Sequence, residues 1–156
     1  MRLEALNLST NNFRIRSEAV VYNKDGILCI YEDGYILFPG GGTDQGETPL
    51  QGVMRESIEE ADTKLLDVVG QGKLAAVWDK ENPLDPDYIG EMTHFFTAFN
   101  GGTLGTEHRD RENFEVKPFD EVLSFIKEVM VLPDQFWARQ NNLKRIELVE
   151  LARGLV

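Results

Sequence analysis

The chain of 156 residues is poor in cysteine and has no long apolar segment. Its one cysteine, Cys29, has no partner for an internal disulfide, which favours a reducing compartment and excludes a disulfide-stapled secreted domain. The N-terminal segment MRLEALNLST lacks the apolar core of a signal peptide, and no apolar run is long enough to span a bilayer. We therefore expect a cytoplasmic protein that does not enter a membrane.

Positive charge is scarce as well. The chain has 16 Lys and Arg against 27 Asp and Glu, which gives a formal net charge of −11. A general nucleic-acid surface needs clustered basic side chains, so a partner of that class is not expected. A small anionic substrate is still compatible with this charge, because bound cations can reverse the field around them.

The length and the apolar content of 42% predict one globular domain over residues 1–156. Runs of residues that favour strands are separated by turn signals such as Asp25-Gly26. The predicted strands cover residues 13–22, 27–31, 35–38, 65–69, 73–78, 91–100 and 114–117, and the predicted helices cover 48–61, 120–131 and 134–155. Strands with a helix between them and closing helices predict a mixed α/β domain whose sheet is covered on both sides.

The stretch from Gly40 to Thr63, GGGTDQGETPLQGVMRESIEEADT, is the most informative part of the chain. Thr48 as N-cap, Pro49 at the first helical position and Gln51 three residues after the cap predict a helix that begins with a capping box. At 3.6 residues per turn, one face of this helix is apolar enough to meet the core. That face comprises Leu50, Val53, Met54, Ser57, Ile58 and Ala61, and we expect the Ser57 hydroxyl to bond to a carbonyl one turn earlier.

The other side of this helix carries Glu56, Glu59 and Glu60, whose like charges repel at this spacing. Arg55 can pair with Glu59, which would leave the other two acids without a cation. The cluster is either a solvated acidic face or a site for a hard cation, since Mg²⁺ and Mn²⁺ prefer carboxylate oxygens. The turn Gly40–Gly42 favours the cation site because its backbone can approach a ligand closely. It is not a P-loop, because no Gly-Lys-Ser/Thr follows.

This spacing resembles the Nudix box, G-x5-E-x7-R-E-U-x-E-E-x-G-U with U apolar. The residues at the matching charged and glycine positions are Gly41, Glu47, Arg55, Glu56, Glu59 and Glu60. Asp62 stands where the box has its last glycine, and Ser57 and Thr63 replace apolar residues. The glycine normally ends the helix in a left-handed conformation, which Asp tolerates at some cost.

The resemblance to the Nudix (MutT-like) hydrolase family implies a Nudix-type α/β/α sandwich with a mixed sheet and a metal-binding box helix. It implies a pyrophosphohydrolase that depends on Mg²⁺, or on Mn²⁺, and uses a metal-activated water. The metal ligands implied are Glu56, Glu59, Glu60 and the Gly41 carbonyl. Arg55 is implied to brace the glutamates, and Glu47 to fix the turn through Arg55. The alternative is a Nudix-fold nucleotide-binding or regulatory module without catalysis, although such modules often lose box glutamates.

The general base and the substrate are left open by the sequence. Family resemblance allows the base to come from the box helix, as Glu59, or from the charged loop at residues 106–112, as Glu107 or Glu112. His108 in that loop could contact phosphate, and Trp78 and Tyr88 could stack on a nucleobase, although each could equally be without such a role. The expected substrate is a nucleoside diphosphate linked to another group, or a nucleoside triphosphate. The family also allows a homodimer.

Overall fold

The computed structural model describes residues 12–105, 113–133 and 138–156. The strands are β1 (Phe13–Asn23), β2 (Gly26–Glu32), β3 (Tyr35–Leu37), β4 (Gly40–Gly42), β5 (Thr63–Val77), β6 (Gly90–Thr103) and β7 (Glu115–Lys117). The helices are α1 (Pro49–Ala61), α2 (Phe119–Val129) and α3 (Arg139–Gly154). The predicted last helix is therefore found from Arg139, and the part of that prediction at residues 134–137 lies outside the described residues.

The strands form one mixed sheet in the order β3-β2-β1-β6-β5. Strand β1 runs parallel to β6, from Phe13 opposite Gly90 to Tyr22 opposite Phe99. On its other side, β1 pairs first with β4 and only near its end with β2. The short strand β4 therefore lies beside the first half of β1, on the same side on which β2 pairs with the end of β1.

Alternate residues of β1 face two different cores. Ala19 and Val21 pack with Val53 of α1, whereas Val20 and Tyr22 pack with α2 and α3. This period of two is what a strand buried on both faces requires. The sheet is thus covered by α1 on one side and by α2 and α3 on the other, which confirms the predicted α/β/α sandwich.

Helix α1 begins as the sequence predicts. The Thr48 hydroxyl accepts from the Gln51 amide, and the Gln51 side chain accepts from the Thr48 amide, at 3.1 and 2.9 Å. The buried Ser57 hydroxyl donates to the Val53 carbonyl at 2.7 Å, also as predicted. Because the box helix is capped at a fixed residue, the positions of its charged side chains are fixed as well.

The predicted core face of α1 is too wide. Leu50 and Met54 are 43% and 39% exposed, so their assignment to the core was wrong. The buried side of the helix is instead centred on Gly52, Val53 and Ser57. A Cβ at Gly52 would lie 3.3 Å from Ser17 Oγ of β1 and 3.0 Å from the Glu47 carboxylate, so the absence of a side chain at Gly52 allows the helix to lie close to the sheet.

Two segments differ from their predicted form because irregular pairing was not visible in the sequence. The two strands predicted around Gly70-Gln71-Gly72 are one strand, β5. Its register against β6 shifts between Leu66 and Val69 and again between Gly70 and Lys73. The strand therefore continues through this segment with β-bulges instead of ending in a turn. The predicted turn at Gly40–Gly42 is the short strand β4. None of the described helices has the length and apolar character needed to span a membrane.

Candidate functional site

The acidic residues of α1 line a cavity of about 580 Å³ at the edge of β4. The wall on the helix side carries four charged side chains, and the glycine strand provides backbone on the opposite side. The lining residues that carry charge are Arg16, Arg55, Glu56, Glu59 and Glu60, and Gly40 and Gly41 lie beside them. The structure therefore brings together all four metal-ligand candidates, Gly41 included, in one cavity.

Arg55 is the centre of this acidic cluster. Its Nε and Nη2 donate to the two oxygens of Glu47 at 2.8 and 3.1 Å. Its Nη1 donates to Glu56 at 3.1 Å and to Glu59 at 3.0 Å. Its Nη2 also donates to the Gly42 carbonyl at 3.2 Å. One planar guanidinium thus ties the loop before α1 to two consecutive turns of the helix.

The expectation that Arg55 would leave Glu56 without a cation was wrong. The helix spacing of four residues identifies the pair of Arg55 with Glu59, but the side chains of Arg55 and its neighbour Glu56 also meet because both turn towards β4. Glu47 reaches the same guanidinium from the loop before the helix. With Asp44, whose carboxylate lies 3.2 Å from Arg55 Nε, four carboxylates therefore share one cation.

The hydrogen bonds between Arg55 and Glu47 shift the pKa values of these two groups in opposite directions. The hydrogen bonds from Arg55, followed by the Asp44 amide, hold the pKa of Glu47 below its ordinary value. The hydrogen bond to Glu47 in turn raises the pKa of Arg55, although burial works against it. Both groups are consequently charged at neutral pH, and the loop from Asp44 to Glu47 is held to the helix by an ionic contact.

Gly41 lies directly against the Glu56 carboxylate. A Cβ built at Gly41 would be 2.8 Å from Glu56 Oε1, closer than a carbon atom can approach without a shift. A side chain at Gly41 would require the Glu56 carboxylate to shift. The close approach explains why the glycine precedes the helix, and it leaves the Gly41 backbone exposed to the same space as the acids.

The donors of this cavity fit a hard divalent cation by type, because they are carboxylate oxygens beside a backbone segment without side chains. In the described part of the chain, however, no three His, Cys, Asp or Glu side chains are grouped closely enough to hold a metal ion as they stand. Arg55 donates to one oxygen each of Glu56 and Glu59. A cation bound here would compete with Arg55 for these two carboxylates.

The aromatic candidates lie in other cavities. Trp78 and Tyr88 line a largely apolar cavity of about 500 Å³, formed by the segment between β5 and β6. Tyr88 also lines a polar cavity of about 870 Å³ together with Arg14 and the loop Gly42–Gly46. The glutamates of α1 line neither of these two cavities. Glu107, His108 and Glu112, the remaining candidates, lie outside the described residues.

Sequence reasoning missed a buried ionic cluster beneath the site. Glu18 of β1 is 1% exposed and receives two hydrogen bonds from Arg145 of α3, at 2.6 and 2.7 Å. Arg145 also donates to Asn142 at 2.7 Å and lies over the Phe38 ring. Burial raises the pKa of Glu18, but the charge and hydrogen bonds of Arg145 outweigh it and leave the pKa below its ordinary value. An acid directly before the apolar run Ala19-Val20-Val21 was the available signal.

Comparison with known proteins identifies the family of the chain. The family model described as NUDIX domain matches residues 13–145. An RNA pyrophosphohydrolase of Helicobacter pylori strain P12 is 35% identical over 69 residues, which are 44% of this chain and 39% of that protein. The chain thus matches well under half the length of this curated relative.

Solved structures share the fold at low sequence identity. A NUDIX hydrolase from Nitrosomonas europaea has a TM-score of 0.58 at 17% identity and covers 78% of this chain and 82% of its own. A MutT protein from Bacillus halodurans has a TM-score of 0.56 at 23% identity, with 72% and 73% covered. The matched family model extends from β1 into α3 and includes the whole box helix, so this chain belongs to the Nudix family.

Proposed function

We propose that the chain is a Mg²⁺-dependent hydrolase that cleaves a phosphoanhydride bond of a nucleoside diphosphate linked to another group, or of a nucleoside triphosphate. The observation that carries this proposal is the convergence of three helix carboxylates on one cavity beside Gly41. The name of the curated relative, RNA pyrophosphohydrolase, supports hydrolysis of a pyrophosphate bond. The net charge of −11 is why we favour a small substrate over a long nucleic acid.

Glu56, Glu59 and Glu60 would hold the cation, with the Gly41 carbonyl as a further ligand. A bound Mg²⁺, or Mn²⁺ in its place, supplies charge neutralisation for the pyrophosphate and lowers the pKa of a coordinated water. Glu56 and Glu59 differ in their surroundings, since the Glu56 side chain is 17% exposed and lies against Gly41, whereas that of Glu59 is 35% exposed. The position of Glu56 is therefore more restricted than that of Glu59.

Arg55 acts on the carboxylates and holds the loop. Its hydrogen bonds to Glu47 and to the Gly42 carbonyl keep β4 and the start of α1 at a fixed separation. Its contacts with Glu56 and Glu59 hold both carboxylates in the cavity. Positioning of this kind matters in phosphoryl transfer, where small displacements of reacting groups cost large factors in rate.

Three acids remain proposed as the base that accepts the proton of the attacking water. Glu59 is the one in the described part of the chain, where it lines the acidic cavity and is a third exposed. Glu107 and Glu112 are proposed from the charged composition of the loop alone. Among the substrate contacts, Trp78 and Tyr88 are proposed to stack on the nucleobase because they share an apolar cavity, and His108 is proposed to contact phosphate.

A reducing, cytoplasmic location is proposed from the state of Cys29. This thiol is buried, and burial raises its pKa to about 12, so it is neither a disulfide partner nor a nucleophile at neutral pH. A thiol kept in this state suits a compartment in which disulfides do not form.

The proposal is tested by chromatographic detection of the nucleotide products formed from a panel of nucleoside triphosphates, dinucleoside polyphosphates and nucleoside diphosphate conjugates, with and without Mg²⁺. We expect cleavage that depends on the cation, and a loss of about a hundredfold or more in kcat for Glu60→Gln. Glu150→Gln, a change at an exposed acid of α3, is the matched control and should retain parental activity.

A catalytically inactive nucleotide-binding module is the second candidate. One observation favours it, namely that Arg55 already occupies oxygens of Glu56 and Glu59. If no substrate of the panel is cleaved, or if Glu60→Gln cleaves as fast as the parent, the hydrolase proposal is wrong and the binding module is the better description.

A further inference from the structure

The acidic cavity contains a second arginine that does not belong to the acidic cluster of the box helix. Arg16 of β1 lines the cavity beside Gly40 and Gly41. Its Nε lies 3.1 Å from Glu91 Oε1, and its Nη1 lies 3.7 Å from Glu18 Oε1. Arg55 is engaged by the acids of the loop and helix, whereas Arg16 approaches the cavity from the sheet.

Arg16 is not needed to neutralise Glu18. Arg145 already binds both oxygens of Glu18 at 2.6 and 2.7 Å, so the weaker contact at 3.7 Å adds little to that pair. Glu91, at the strand edge, is the principal partner of Arg16. The guanidinium thus retains donors that can be turned to a ligand in the cavity.

Arg14 lies two residues before Arg16 on the same face of β1, about 7 Å away along the strand. It is exposed and makes no ion pair within the ranges that the structure describes. Asp44 and Asp85 line the same polar cavity, yet Asp44 contacts Arg55 at 3.2 Å. Arg14 is therefore the least engaged cation beside the site.

The glycine strand leaves both arginines uncovered. Gly42 of β4 pairs with Arg16 of β1, and Gly40 pairs with Glu18. A Cβ at Gly42 would lie 3.5 Å from Arg14 Nη2, so a larger residue there would reach across this guanidinium. Because β4 has no side chains, a ligand can pass over it from the acidic cavity to the polar one.

The polar cavity leads on to the aromatic one through Tyr88, which lines both. The order along the surface is therefore the glutamates with Arg16, then Arg14, then Tyr88 with Trp78. This order matches the groups of a nucleotide, in which a charged phosphate chain joins the reacting anhydride to an aromatic base.

We propose that Arg14 and Arg16 form a binding site for the phosphoryl groups of a nucleoside diphosphate whose base lies towards Trp78 and Tyr88. This inference rests on the proposed function, since it assigns the substrate side of the same site. It gives Arg14 and Arg16 a binding role that is distinct from the positioning role of Arg55.

The test is calorimetric binding of a methylene-bridged analogue of ADP, which resists hydrolysis, in the presence of Mg²⁺. Arg14→Gln and Arg16→Gln should each weaken binding about tenfold, because each removes one charge-assisted contact. Arg16→Lys, which keeps the charge, should recover part of the loss. Arg139→Gln, a change at an exposed arginine at the start of α3, is the control and should bind as the parent does.

Adenosine provides the second arm of the experiment, since it carries the base without phosphate. All the variants should bind adenosine as the parent does, and the parent should bind the analogue more tightly than adenosine. Arg14→Gln serves where Arg16→Gln disturbs folding, because Arg14 makes no ion pair in the described residues. Equal binding of the analogue by Arg14→Gln, Arg16→Gln and Arg139→Gln would overturn the proposal, as would a parent that does not distinguish the analogue from adenosine.

Failure of this proposal is separable from failure of the hydrolase proposal. An inactive module with this arginine pair would bind the analogue in the predicted order and cleave no substrate of the panel. An active hydrolase that positions its substrate by other residues would cleave a substrate of the panel and show no effect of the arginine changes on binding of the analogue.

Discussion

At the scale of single residues, Arg55 makes contacts that a lysine cannot reproduce. Its guanidinium group donates to both oxygens of Glu47 and also to Glu56 and Glu59. An ammonium group offers a compact point charge without the planar geometry. We expect Arg55→Lys to lower kcat by about tenfold or more with a smaller effect on KM, because the carboxylates are displaced and the substrate contacts are not.

Steady-state kinetics on the best substrate of the panel would measure this effect. Arg139→Lys, the same exchange at an exposed position of α3, is the control. An unchanged kcat for Arg55→Lys would show that one positive charge suffices here and that the planar guanidinium is not required.

The buried pair of Glu18 and Arg145 supports the sheet beneath the cavity. Arg145→Met would leave Glu18 charged and enclosed, which costs about 3–5 kcal/mol of stability when one partner of a buried pair is removed. Urea unfolding monitored by circular dichroism measures the loss. The double variant Glu18→Met with Arg145→Met should recover much of it, because no buried charge remains. A single variant as stable as the parent would contradict this account of the pair.

The lowered pKa of Glu18 makes the stability of the protein depend on pH. The pKa of Glu18 is below its ordinary value of 4.5, since the charge and hydrogen bonds of Arg145 and the charge of Arg16 together exceed the effect of burial. Its contribution to stability is therefore present above 4.5 and is lost as the pH falls through the lowered value.

Urea midpoints measured between about pH 6 and pH 3 should fall more steeply for the parent than for Glu18→Gln, which cannot titrate at this position. Both proteins lose stability from their other acids, so the difference between the two curves is the informative quantity. Parallel curves would show that Glu18 does not contribute to acid unfolding.

At the scale of elements, the end of α1 is a strained position that the chain fills with Asp62. The backbone of Asp62 is in the left-handed helical conformation, with φ 49° and ψ 40°, and the residue is buried. Its carboxylate accepts from the Gly105 amide at 3.1 Å, and its carbonyl accepts from the Leu104 amide. The side chain thus ties the helix end to the segment after β6, which a glycine could not do.

Two substitutions at Asp62 separate backbone strain from this contact. Asp62→Gly and Asp62→Ala both remove the carboxylate, but only alanine pays for a Cβ in the left-handed region. We expect the alanine variant to be less stable than the glycine variant by about 1–2 kcal/mol. Thermal and urea unfolding of the two proteins give the comparison, and an alanine variant as stable as the glycine variant would show that the helix ends differently.

The start of the box helix could be predicted from the sequence because it depends on residues close together in the chain. Thr48 and Gln51 form the capping box, and Ser57 bonds one turn back, as expected. The strand β5 could not be predicted as one element, since its bulges depend on how β6 is placed beside it. The exposure of Leu50 and Met54 likewise depends on how closely Gly52 brings the helix to the sheet.

At the scale of the whole molecule, β1 connects the parts of the site. One face of this strand packs on the box helix, and the other carries Arg14, Arg16 and Glu18, of which Glu18 meets Arg145 of α3. Glu18 and Arg145 are 127 residues apart in the chain, and no periodicity in the sequence links them. The family spacing indicated the acidic side of the cavity, whereas the basic side appears only once the sheet is assembled.

The placement of the glycine strand explains how both sides serve one cavity. Strand β4 lies between the Glu56 carboxylate and the Arg14 guanidinium, with Gly41 facing the first and Gly42 facing the second, and it adds no side chain on either face. In the proposed site, an anionic ligand would meet a cation held by the helix acids and the arginines of β1. The sheet, together with the helix, would then define where such a ligand lies.

The central claim is that water, activated by a cation on the box helix, breaks a phosphoanhydride bond. The most direct measurement is mass spectrometry of the products formed in ¹⁸O-labelled water with Mg²⁺. The account predicts one ¹⁸O atom in a phosphorus-containing product for each bond cleaved, and no cleavage above background without the cation or with Glu60→Gln. Products free of ¹⁸O, or equal cleavage by Glu60→Gln, would contradict it.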